Sequence, residues 1–187
     1  MKHVLGLFIL AILAMSCFRV RPVEEPGSSN SAWVSPTDYQ ILLRNLQTSI
    51  SQRNSQNYLR CFNPDVFRFT PAASLRTNNE AVWQSWSSLD EQTYLENVFA
   101  RLAVTSGNSL NLEQTDLQDV SADSLRYVGN YQLRINHGDS TLTDLFRGQI
   151  QLVIKLNAFN EWEIHRWTDV ETFRDSSWSL LKLRFVQ

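Results

Sequence analysis

Between Leu145 and Asp169 the chain reads LFRGQIQLVIKLNAFNEWEIHRWTD, and the first half of that stretch alternates strictly. Phe146, Ile150, Leu152, Ile154 and Leu156 fall on one face of a strand, with Gly148 in the remaining slot, and Arg147, Gln149, Gln151 and Lys155 fall on the other. A period of two over that length belongs to a strand with one face in a core and one in water. Asn157-Ala158-Phe159-Asn160 reads as a hairpin turn, with Trp162, Ile164 and Trp167 opening the return strand. Such a hairpin cannot stand alone; its apolar face needs a packed layer.

The layer comes from upstream. Ser35 reads as a cap, Pro36 as a first helical residue and Asp38 as an acid complementing the dipole; Tyr39, Leu42, Leu43, Leu46 and Ile50 then recur at helical spacing. A short helix restarts at Asn54 or Ser55, runs through Tyr58 and Phe62 and ends at Asn63-Pro64-Asp65. Phe67 and Phe69 alternate with Arg68 as a short strand stopping at Pro71, and Ala72 to Asn79 reads as loop. Ser88-Leu89-Asp90-Glu91 has the spacing of a capping box, opening a third helix with Tyr94, Leu95, Val98, Phe99 and Leu102 on one face. Trp83 and Trp86 precede it and are expected to cover one end of the core, and Thr105 to Asn108 closes the helical half.

After that break the pattern is read as strand throughout. Leu110 and Leu112 begin one strand, with Asp119 to Ser124 read as a turn. Leu125, Tyr127, Tyr131, Leu133 and Ile135 alternate with polar residues in the next, and Gly129 sits in the apolar register. His137 lies in a Gly-containing turn and is read as solvated, and Trp178 to Phe185 as a last strand or docked turn. Helices gathered on one side of a curved antiparallel sheet make an α+β roll.

The first residues carry an address. Lys2 and His3 precede an apolar run, Val4 to Met15, too short to span a bilayer comfortably, as in a secretory signal peptide. Leu13-Ala14-Met15-Ser16-Cys17 resembles a bacterial lipoprotein signal, although Ala14 stands where that pattern usually has Leu. The expected organisation is a signal peptide over 1–16, a lipidated Cys17 with a flexible tether over 17–32, and one domain over 33–187. Phe18 to Ala32 is rich in Pro, Gly, Ser and charge without periodicity, and fifteen such residues reach roughly 20 Å r.m.s.. The expected location is the bacterial cell envelope, with the membrane as partner through Cys17. Cys61, the other cysteine, lies among Tyr58, Leu59 and Phe62 and reads as a buried small hydrophobe. A net charge of −2 offers no basic patch, so nucleic acid is not expected as a partner.

Leu42-Leu43 through Asn57-Tyr58-Leu59-Arg60-Cys61-Phe62, then Phe67-Arg68-Phe69, Trp162-Glu163-Ile164 running into Trp167-Thr168-Asp169, and Trp178 with Lys182 resemble the nuclear transport factor 2-like superfamily over residues 33 to 185. The similarity is greatest to its bacterial lipoprotein members. It implies a cone: a bent sheet wrapped around helices with a central pocket. By the same resemblance, enzymes of the superfamily place acid/base groups in the cone, which makes His165 or Asp169, with Tyr127 or Tyr131, the catalytic candidates, and Trp162, Trp167, Tyr127 and Tyr131 the candidate pocket lining.

A bland reading stands beside each candidate. A regular return strand would point Glu161, Glu163, His165, Trp167 and Asp169 one way; a β-bulge near His165-Arg166 would instead turn Trp162, Ile164 and Trp167 all inward. Asp169 could simply pair with Arg166 or Arg174, and the two tyrosines could be core residues with polar tips. No metal-ligand spacing, phosphate loop or nucleophile elbow occurs, so neither metal nor cofactor is expected. The expected function is a non-enzymatic, envelope-anchored domain binding a small apolar ligand or a protein, with a homodimer through the polar sheet face as a further expectation. The rival is an isomerase, dehydratase or hydrolase working in the cone.

Overall fold

The computed structural model describes residues 33–101 and 107–186. The leader, Cys17, the tether, Leu102 and the start of the Thr105–Asn108 break lie outside the described residues. In chain order the elements are α1 (Tyr39–Ser51), α2 (Ser55–Leu59), β1 (Arg68–Thr70), α3 (Ala73–Arg76), a 3-10 turn (Thr77–Asn79), α4 (Glu80–Gln84), α5 (Ser88–Ala100), β2 (Ser109–Ser121), β3 (Ser124–Arg134), β4 (Leu145–Leu156), β5 (Trp162–Glu171) and α6 (Trp178–Phe185). The five strands form one sheet in the order β1-β5-β4-β3-β2, with β1 parallel to β5 and every other pair antiparallel. A curved, unclosed sheet packed on helices is the α+β cone.

Helix α1 starts where Asp38, not Ser35, accepts from the Gln40 N–H at 2.7 Å. Ser35 is instead bonded to Glu161 on the β5 side. Leu42, Leu43, Leu46 and Ile50 are buried as the helical stripe requires. The helix ends as Arg53 takes φ 54° and the Asn54 N–H reaches back to the Ser49 carbonyl at 2.8 Å. Asn54 then caps α2 through the Asn57 N–H. Cys61 is fully buried, and burial holds its thiol well above the usual range, so it behaves as an inert core residue.

Three further expectations about helices are corrected. Ala72 to Asn79 is not loop: α3, the 3-10 turn and α4 form a short helical strap after β1. No periodicity marks it, because none of the side chains of α3 or of the turn is buried. The capping box lies one residue earlier than expected, with Ser87 donating its N–H to Asp90 Oδ2 at 2.8 Å; Glu91 is thereby released from the cap and turns inward. Trp178 to Phe185 is a helix, begun where Ser177 Oγ accepts from the Leu180 N–H. Eight apolar-rich residues fit helix or strand alike, and periodicity alone cannot decide between them.

The β4–β5 ladder pairs Val153 with Arg166 and Ile154 with Ile164, so His165 is an extra residue on β5. That bulge reverses the alternation: Ile164, Trp167 and Asp169 face the helices, while Trp162 is only half-buried. His137 is a further correction. It is fully buried, accepts from the Asp139 N–H through Nδ1, lies 3.0 Å from the Thr143 carbonyl through Nε2, and packs against Phe146 and Phe185. Its backbone turns back through Ile135 bonding to Asp144, which folds the imidazole under the loop rather than into water.

Candidate functional site

Inside the cone an ion pair stands among aromatic rings. Glu91 of α5 and Lys182 of α6 are both fully buried and bonded to each other. The ammonium lies 3.8 Å from the ring centroids of both Phe69 and Trp167, with Tyr94 and Trp86 slightly farther. Glu91 also accepts from the Tyr58 hydroxyl at 2.9 Å and from Trp86 Nε1 at 2.8 Å. Burial draws the Lys182 amine down to about 8, with Glu91 and then Asp169 opposing that fall. Tyr58 and Tyr94, 3.0 Å apart through their hydroxyls, are raised by burial first and by Glu91 next.

A second polar cluster adjoins it. Asp169 accepts from the Tyr131 hydroxyl at 2.8 Å, the Ser179 N–H at 2.7 Å and the Ser179 hydroxyl at 2.5 Å. Ser179 Oγ accepts in turn from the Ala72 N–H, and the Tyr131 hydroxyl from the Trp178 N–H. Asp169 therefore pairs with neither Arg166 nor Arg174; Arg174 lies beside Asp175 at the surface. Burial raises the Asp169 carboxyl above its usual range despite these donors. Trp178 Nε1, donating to the Tyr94 hydroxyl at 3.1 Å, joins the two clusters.

Of the four acid/base candidates, Asp169 and Tyr131 meet, whereas His165 and Tyr127 stand apart from them. His165, lifted out by the bulge, faces the outer side of the sheet, where it contacts Glu163 at 2.9 Å. Tyr127 is buried and its hydroxyl is pushed up to about 12, by burial first. Trp167 is enclosed by Phe62, Phe69 and Trp178. Among the described residues, no group of three or more His, Cys, Asp and Glu side chains is arranged to hold a metal ion.

Glu91 and Lys182 were not among the sequence candidates, although a signal existed. On α5 the buried positions Tyr94, Leu95 and Val98 extend one turn back to Glu91, and on α6 Trp178, Leu181 and Phe185 bracket Lys182. Two apolar stripes, each interrupted by one charge of opposite sign, announce a buried pair.

Open space lies at the cone's rim. A cavity of about 410 Å³ is lined by Phe69, Pro71, Arg76, Glu80 and Trp83 among others. A neighbouring one of about 290 Å³ shares Thr70, Pro71 and Arg76 with it and reaches Asp169. The strap α3–α4 thus forms the wall of both, and Phe69 presents one face toward the rim while Lys182 holds the ring from within.

No protein-family model matches the chain, and no curated protein sequence does. Solved structures do. A candidate aromatic ring hydroxylase from Novosphingobium aromaticivorans superposes with a TM-score of 0.57 at 12% identity, over 77% of this chain and 93% of that one. A candidate scytalone dehydratase from the same organism gives 0.56 at 11% identity, over 72% and 82%. LinA gives 0.53 at 14% identity, over 70% and 81%. The chain has the nuclear transport factor 2-like fold. At such identities the likeness is one of fold and carries no chemistry across.

Proposed function

We propose that this is an envelope-anchored lipoprotein whose cone is a non-enzymatic binding domain, taking a small apolar ligand at the rim. One observation carries the reading: the ammonium and the two carboxylates of the interior are spent on their neighbours. The Lys182 ammonium has a carboxylate and two ring faces, Glu91 has three donors, and Asp169 has three. Groups saturated in this way rigidify a core and leave nothing free to move a substrate proton. At the rim, Phe69 and Trp83 line an open cavity of a volume suited to a small molecule. The anchoring part rests on Val4 to Cys17 alone. Replacing Cys17 by Ser and following lipid labelling and membrane fractionation tests it: the variant loses label and becomes soluble, and a variant that still fractionates with membranes contradicts anchoring.

The rival enzyme reading draws on the lowered Lys182 amine and the raised Asp169 carboxyl, in a cone whose structural neighbours include proteins named as enzymes. It requires the strap to open, because Lys182 is fully enclosed. A homodimer through the outer sheet face, where Arg126, Gln132, Arg134 and Lys155 are exposed, is the assembly counterpart of either reading.

A further inference from the structure

The domain begins at a corner that is held with unusual care. The Val34 backbone is clasped on both sides by the side chain of Asn45, a buried amide on α1 that donates to the Val34 carbonyl and accepts from its N–H. Ser35 is bonded to Glu161, and the Trp162 N–H donates to the Pro36 carbonyl at 2.8 Å. Trp33 lies under the Arg60 guanidinium, 4.1 Å from ring centroid to carbon. Of the first four described residues, Ser35 and Pro36 are therefore stitched to the β4–β5 turn, while Val34 is held by α1 and Trp33 by Arg60 at the end of α2.

That turn presents a phenylalanine to water. Asn157 Oδ1 accepts from the N–H groups of Phe159 and Glu161, the Asn157 N–H donates to the Glu161 carbonyl, and Asn160 takes φ 58°. Phe159, at the tip, is 83% exposed, the most exposed large apolar side chain described, and Val34 beside the same seam is 52% exposed. No packing within the domain accounts for either. Val34 follows directly on Trp33, the first described residue, and Phe159 lies two residues before Glu161, which holds Ser35.

We infer that this corner, with Phe159 and Val34 as its apolar points and Arg60 beside them, rests on the phospholipid surface to which Cys17 is anchored. The inference depends on the anchoring reading above. For a Pro-, Gly- and Ser-rich linker of sixteen residues, the length from Cys17 to Ala32, the expected reach is about 20 Å r.m.s.. A domain of this length has a radius of gyration of about 15 Å and spans about 40 Å. A tether shorter than the domain is wide keeps the corner it enters nearest the bilayer, and apolar and aromatic side chains at that corner gain by entering the headgroup region. A turn braced through Asn157 and Ser35 is suited to that contact.

The test uses the full acylated chain in vesicles of phosphatidylethanolamine and phosphatidylglycerol. A single environment-sensitive fluorophore is placed through Phe159→Cys or, as control, through Leu89→Cys at the exposed start of α5; Cys61 is buried and Cys17 is acylated. Brominated lipid is expected to quench the label at 159 several-fold more than the label at 89. Equal quenching at the two positions in protein that floats with the vesicles overturns the inference and leaves anchoring intact. Protein that does not float overturns both. Phe159→Ser, at an exposed position where the melting temperature is expected to stay unchanged, is expected to abolish any difference between vesicle-bound and detergent-solubilised protein in proteolysis of the adjoining chain.

Discussion

Glu91 and Lys182 occupy positions that otherwise hold apolar side chains, and their value to the fold depends on each other. Removing one leaves a bare charge in a dry core. Lys182→Met is therefore expected to cost about 3–5 kcal/mol, read from urea unfolding, whereas Glu91→Gln with Lys182→Met together is expected to recover most of it, since Gln keeps an acceptor for Tyr58 and Trp86. Additive losses in the double variant would show that the pair is not coupled. Asp169 gives a pH test. Its carboxyl is raised in the folded state by burial, so below the ordinary value of 3.8 both states hold the proton and the native state has the full benefit of a neutral buried acid. As pH rises the unfolded chain releases its proton first and stability falls until the native carboxyl titrates. The unfolding free energy of the wild type minus that of Asp169→Asn should accordingly decrease as pH climbs from 3.5 towards neutrality; an increase would mean that Tyr131 and Ser179 outweigh desolvation.

Among the elements, the strands were legible and the strap and last helix were not. Alternation fixed β3 and β4, because each has one face on the core, and even the bulge at His165 could be anticipated from the mixed faces of β5. The two glycines in the apolar register have a physical reason that spacing alone conceals. A Cβ on Gly148 would stand 2.6 Å from the Tyr131 hydroxyl, and one on Gly129 2.5 Å from the Tyr127 hydroxyl, so each glycine is the saddle over which a tyrosine lies. Gly148→Ala should cost about 1–3 kcal/mol through overpacking and free the Tyr131 hydroxyl from Asp169, detectable as a lowered melting temperature and a lowered tyrosine pKa. An unchanged melt would show that the ring has room to shift. Helix α6 escaped because its eight residues have too little length for a period to declare itself. Truncation after Ser177 removes Trp178, Leu181, Lys182 and Phe185 from the core at once and should leave a chain without a cooperative melt.

At the scale of the whole molecule, the fold was readable in order and pattern, while the site was readable only in part. Asp169 and Tyr131 were picked out and do meet, but Glu91 was concealed by its resemblance to a cap, and His165 is carried outward by the bulge. Sequence spacing locates groups along an element; only the packing of α5 against α6 tells which of them share a point in space. We propose a molecule with paired interior charges, an aromatic rim open to a small ligand and an anchored corner. Binding at the rim is most directly tested by native mass spectrometry of the protein extracted intact from its host's membranes. A reproducible additional mass of a small apolar molecule is expected, lost when Trp83 at the rim is replaced by Ala in a variant that still melts cooperatively. A bare protein at every subunit number, or a bound mass unaffected by that replacement, would contradict it.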